Sequence, residues 1–113
     1  MITIDLVKSK ENICRFKVSG HGEFDDSGKD IVCSAVSAVV YGALGALGDL
    51  CNMRDYTDVD EGKKSDYIMF ELPANASLKA GETAQIILQT MRIGLKQIEM
   101  VYDEYVKINE REV

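Results

Sequence analysis

The segment GHGEFDDSGKDIVCSAVS, residues 20–37, contains His21, the only histidine of the 113-residue chain, and Cys33, one of its three cysteines. An imidazole and a thiol in reach of each other make an activated nucleophile. An ordinary thiol has a pKa of about 8.5, so it is a few per cent ionised at neutral pH, and lowering it by roughly two units takes about 2.7 kcal/mol. Asp30 has the character of an N-cap. Cys33 then takes the third position of a helix beginning at Ile31, where free amides and the positive end of the helix dipole favour a thiolate. That end supplies about 0.3 to 1 kcal/mol, so a proton acceptor is also needed, and His21 is the only imidazole. In this reading Cys33 attacks a carbonyl. His21 takes the thiol proton and later hands it to the leaving amine, and amides at the helix start hold the oxyanion.

The segment between them has the make-up of a lid: Gly20, Gly22 and Gly28 give the loop freedom to return His21 to Cys33. A plainer reading uses the same residues. Cys33 is then an inert helix thiol, His21 a solvated imidazole, and Glu23, Asp25, Asp26 and Asp30 an acidic loop. The residues alone leave both open, because a pair with no third member is confirmed only by geometry. A mixed metal site of His21, Asp25, Asp26 and Cys33 matches no established ligand spacing, so neither a metal nor a cofactor is expected.

Elements that position the pair follow from periodicity. ITIDLV (2–7) alternates Ile2, Ile4 and Leu6 against Thr3 and Asp5; ICRFKV (13–18) places Cys14, Phe16 and Val18 inward and Arg15 and Lys17 outward. Both read as half-buried strands joined by KSKEN, with Cys14 a small core hydrophobe. Residues 31–51 are apolar nearly all round, so this helix must be covered on more than one side and a partner subunit is expected. Gly42, Gly45 and Gly48 clear a strip along it, each at a cost of roughly 1 kcal/mol against Ala; Cys51 near its end reads as structural. Residues 53–60 and 66–72 form a second strand pair around EGKKS, and Pro73 ends its ladder. A 3.6-residue period from Glu82 to Lys107 gives a long amphipathic helix, and NEREV a solvated tail. The order ββαββα predicts an α+β fold, an antiparallel sheet packed against two helices, over a single domain at 1–113.

Composition bounds the partners. A formal charge of −6 with no clustered Lys and Arg excludes a nucleic-acid footprint. The uncharged run 31–48 approaches the length of a membrane span, yet it is broken by Ser and Gly and bounded by Asp30 and Asp49, so a buried helix and no membrane are expected. An odd cysteine count without a C-x-x-C pair fits free thiols in a reducing cytoplasm.

The sequence Gly20-His21, a loop bearing Gly28, then Asp30-Ile31-Val32-Cys33 and Ser37 resembles the signature of the ribosomal-processing cysteine protease family, Prp, and the likeness in length and element order spans essentially the whole chain. The resemblance implies a small cytoplasmic homodimer that removes the N-terminal extension of a large-subunit ribosomal protein, cutting after a hydrophobic, aromatic-containing segment. It implies His21 as base, Cys33 as nucleophile, and Asp30 and Ser37 as supporting residues. Asp30 then either caps the helix or orients His21. Ser37, one turn after Cys33 on the same face, either bonds near the site or bonds a backbone carbonyl one turn back. The competing reading is a non-catalytic dimeric module that binds a ribosomal component.

Overall fold

Alternation of apolar and polar residues produces the first hairpin: β1 (Ile2–Ser9) and β2 (Asn12–Ser19) pair antiparallel, Ile4 opposite Val18 and Leu6 opposite Phe16. The structure, a computed structural model, describes residues 1–20, 27–54, 57–60 and 67–113, with side chains described at 1–20, 31–54 and 67–113. His21, Gly22 and the acids at 23, 25 and 26 lie outside the described residues, as do the side chain of Asp30 and the turn EGKKS.

The remaining elements are α1 (Ser27–Cys51), β3 (Thr57–Asp60), β4 (Tyr67–Glu71), α2 (Leu78–Val101) and β5 (Val106–Glu112). One sheet runs in the order β3-β4-β2-β1-β5. The α+β class holds, with one addition to the expected topology. β5 pairs parallel with β1, Ile2 beside Val106 and Ile4 beside Ile108, so the sheet is mixed rather than wholly antiparallel. The segment read as the end of the last helix and a solvated tail is therefore a strand. α2 stops at Tyr102, whose φ of −124° and ψ of 49° leave helical space, and the amides of Tyr105 and Val106 both donate to the Tyr102 carbonyl to turn the chain.

Both helices cover one face of the sheet. Ile2, Ile4, Leu6, Phe16, Val18, Ile68, Phe70, Val106 and Ile108 meet Val32, Val36, Val40 and Leu47 of α1 and Ala84, Leu88, Met91 and Leu95 of α2 in one buried cluster. α2 begins at the N-cap Ser77, whose hydroxyl accepts from the Ala80 amide at 3.1 Å. It lies over the β5 side of the sheet. Arg92 donates to Glu110 at 2.8 and 3.0 Å, and the Ile108 amide donates to Glu99 at 2.8 Å. Further along α2, Gln85 clasps Ile13 with two bonds, accepting from its amide at 2.9 Å and donating to its carbonyl at 2.7 Å.

Two local readings change. The register shifts by one residue between Val7 and Lys8, so Ile13 takes the core position and Cys14 bulges out, half-buried, its thiol donating to the Val7 carbonyl at 3.3 Å. The second strand pair is shorter than 53–60. Asn52 adopts φ 58° after α1, the Met53 amide donates back to Leu47, and Met53 packs into the core before β3 begins. Ile31–Cys51 is long and apolar enough to cross a membrane by length and composition alone. Here Val32, Val36, Val40 and Leu47 pack in the core cluster.

Candidate active site

The two helices run antiparallel. Val39 meets Gly94, and Ala46 lies level with Ile87 in a groove between them. α2 ends beside the start of β5, and Tyr105 accepts from the Ile2 amide at 2.8 Å. The start of α1 therefore lies at the end of the sheet where β1 and β5 begin and β2 finishes. Gly20, the last described residue before position 21, is fixed at that end, with φ +82° and packed against the Met1 carbonyl. The topology thus delivers the chain entering position 21 and the helix bearing Cys33 to the same edge of the molecule. The side-chain geometry of His21 lies outside the described residues.

Cys33 is 3% exposed and forms no disulfide. It belongs to the core cluster while standing within two turns of the helix start. The helix begins four residues earlier than its sequence predicts. With Ser27 first, Asp30 is the fourth helical residue and not a cap, and Cys33 is the seventh (27 to 33) and not the third. The free amides of α1 are then those of 27–30, and the dipole field, which falls off within the first turn, acts on Cys33 less than expected. Gly28 sits inside α1 rather than in a loop.

Helix geometry fixes what surrounds Cys33. At about 100° per residue, the α2-facing side of α1 is the line of Val39, Gly42, Ala43 and Ala46. Cys33, Ser37 and Tyr41, spaced four apart, form a line roughly 120° to 200° around from Val39, on the flank turned away from α2. Because α2 occupies the β5 side, this flank faces the β4 and β3 side of the sheet. Ser37 is half-buried and stands one turn after Cys33 as its spacing predicts. Tyr41 continues the line outward and is exposed. The other thiols lie elsewhere. Cys14 sits at the bulge, and Cys51 is buried at the far end of α1, where burial pushes its pKa up.

Comparison with known proteins agrees with this architecture. A family model described as Cysteine protease Prp matches residues 1–107. The ribosomal processing cysteine protease Prp of Bacillus subtilis (strain 168) is 32% identical over 98 residues, spanning 87% of this chain and 86% of its own. That of Staphylococcus aureus (strain Mu50) is 32% identical over 110 residues, 96% of this chain and 98% of its own. Among solved structures, an essential ribosomal processing protease Prp from S. aureus, in complex with a substrate peptide, superposes with a TM-score of 0.79 at 28% identity, covering 98% of this chain and 100% of that one. SMU.848 from Streptococcus mutans shares the fold with a TM-score of 0.86 at 21% identity, over 100% of this chain and 96% of its own. With the match extending from the first residue of β1 into β5, the chain belongs to the cysteine protease Prp family.

Proposed function

We propose that this cysteine protease is an endopeptidase that removes the N-terminal extension of a large-subunit ribosomal protein, with Cys33 as nucleophile and His21 as base. The observation that carries the reading is the placement of Cys33 near the start of α1, at the sheet end where β2 releases the chain into position 21. The S. aureus relatives solved with a substrate peptide and with a covalently linked product peptide support a peptide substrate and a covalent intermediate.

The reaction runs through an acyl-enzyme. His21 accepts the thiol proton, and the Cys33 sulfur adds to the scissile carbonyl, whose oxygen takes the negative charge. Collapse of that adduct breaks the C–N bond. The imidazolium gives its proton to the departing amine, leaving a thioester on Cys33. Water, deprotonated by His21, then adds to the thioester; the carboxylate is released and the thiol regains its proton. Asp30 and Ser37 support the site, Ser37 from one turn along the same helical line as the nucleophile.

The same reading makes the protein a cytoplasmic homodimer. Ile86, Ile93 and Met100 recur every seven residues on the outer face of α2 and are 70%, 57% and 75% exposed. Ile86 also borders the apolar groove of about 390 Å³ between α1 and α2. Gly42 lines that groove, and a Cβ added at Gly42 or Gly45 meets nothing within 4 Å. Gly48, the third glycine of the strip, is covered by the Arg54 side chain, so the stretch of Gly42 and Gly45 is the low, apolar surface that a second copy fits.

Cleavage of a peptide bearing the extension tests the assignment. Cys33→Ala should abolish it, while Cys14→Ala and Cys51→Ala should retain it. Cleavage surviving in Cys33→Ala would end the assignment. Iodoacetamide labelling of Cys33 against pH, with His21→Ala alongside, separates the enzyme from a non-catalytic dimeric module. Labelling already fast near pH 7 and slowed by the histidine change supports the pair.

A further inference from the structure

On the sheet face turned away from the helices, β5 and β2 bring two arginines to either side of one buried valine. Val7 stands on that face, since its neighbour Leu6 faces the core, and it is 6% exposed although it lies outside the core cluster. Its partners in register are Arg15 on β2 and Arg111 on β5. Their alkyl stems are long enough to cover it while the guanidiniums stay at the surface. Among the described residues, neither arginine is engaged in an ion pair or a side-chain hydrogen bond. The nearby acids are held elsewhere. Asp5, one row along, accepts from Asn109 at 3.1 Å and stands beside Lys17. Glu110 is held on the helix side by Arg92 and Lys96. Glu71, on the other side of Arg15 in register, is exposed and forms no ion pair with it. The row lies toward the opposite end of the face from Gly20, on the three strands farthest from β3.

A cavity of about 450 Å³ opens over this row, with Arg15, Arg111, Lys17, Asp5, Val7 and Met69 in its lining. We propose that it binds a small phosphate monoester, with the phosphate gripped between the Arg15 and Arg111 guanidiniums. The two Cα atoms are two strand spacings apart, about 10 Å, so both long side chains reach one anion set above Val7. Each guanidinium presents a rigid fork that bonds two oxygens at once. A carboxylate has one pair of oxygens and satisfies one fork. A tetrahedral phosphate offers an edge to each of two forks from opposite sides. The cavity has the size of a small-molecule site, and the apolar groups of Val7 and Met69 leave a place for the organic part of the ligand. A long polyanion suits it less. The chain carries a formal charge of −6, and Lys17 is drawn over the Tyr67 ring, 4.9 Å from its centroid. Among the described residues, no third cation continues the row of Arg15, Val7 and Arg111.

Amide chemical shifts of isotopically labelled protein test the seat, with ionic strength held constant by chloride. Adenosine 5′-monophosphate should shift the Val7, Arg15 and Arg111 amides saturably. Inorganic phosphate should shift the same amides with weaker affinity, and adenosine should leave them unmoved. Arg15→Gln and Arg111→Gln should each raise the Kd for the monophosphate about tenfold, the loss expected of one charge-assisted pair. Arg15→Lys keeps the charge and the stem over Val7, and should still weaken binding severalfold because the fork is gone. Lys107→Gln removes a charge from β5 outside the row and should change Kd less than about twofold. Absence of a saturable shift, or a Kd raised as much by Lys107→Gln as by the arginine changes, would overturn the seat. A short RNA that binds through the same amides far more tightly than the monophosphate would overturn the small-ligand assignment in favour of a polymer surface. Peptide cleavage by the arginine variants should stay at the rate of the unaltered protein, because the seat and Cys33 lie on opposite sides of the sheet.

Discussion

Gly20 closes β2 directly against the first residue of the chain: a Cβ built on it would lie 2.3 Å from the Met1 carbonyl oxygen, and its φ is +82°. Both facts demand glycine, one by contact with backbone that has no rotamer to yield and the other by the left-handed conformation. The position is also the last one before His21, so it aims the chain that carries the proposed base.

Gly20→Ala is expected to cost about 2 kcal/mol or more, from the strained φ together with the displacement of Met1 from the start of β1. Thermal unfolding should fall by several degrees. Peptide cleavage should fall further than the folded fraction does, because the sheet end that presents position 21 moves. Cleavage tracking the folded fraction alone would show that Gly20 serves packing only.

Arg92 and Glu110 join α2 to β5 through two bonds, and Lys96 adds a third contact to Glu110 at 3.2 Å. The Arg92 hydrogen bond, with help from Lys96, lowers the Glu110 pKa to about 2 against partial desolvation that opposes it. A carboxylate depressed on folding contributes stability that is present above its unfolded value and lost as pH falls through its folded one. The loss therefore falls between about pH 4.5 and pH 2. Because the pair is a quarter exposed, about 1 kcal/mol is the expected size. Urea unfolding of Glu110→Gln should show that deficit at pH 7 and a smaller one at pH 2. A deficit independent of pH would mean that shape, not charge, holds β5.

What the sequence revealed followed the strength of its periodic signals. β1, β2 and β4 alternate over five or more residues and their faces were readable, and the core stripe of α2 was readable through Leu95. β5 was not, because VKINERE has two apolar positions, Val106 and Ile108, and its charges read as tail. The bulge at Cys14 was invisible because a one-residue slip leaves composition unchanged while exchanging faces. At the site, Cys33 and Ser37 share a helical line as their spacing requires. The start of α1 was misplaced because Asp30 offers a better cap than the glycine-bearing stretch before it, yet the helix already runs from Ser27.

The seven-residue repeat of Ile86, Ile93 and Met100 makes its own demand. Three large apolar side chains in one line on a helix whose opposite face is already buried leave a strip that water covers poorly. In the proposed homodimer Ile93 is the middle of that strip, beside Gly94, whose neighbour across the helix pair is Val39. Ile93→Glu should place a charge in the centre of the interface at no cost to the core, since the side chain points away from it. Light scattering after gel filtration should then report a monomer where the unaltered protein gives a dimer, with thermal stability reduced only by the lost association. Lys107→Glu, exposed on β5 and outside the strip, serves as the charge control and should leave the dimer intact. A dimer that survives Ile93→Glu would move the interface off α2 and leave the repeat as exposed surface of a monomeric face.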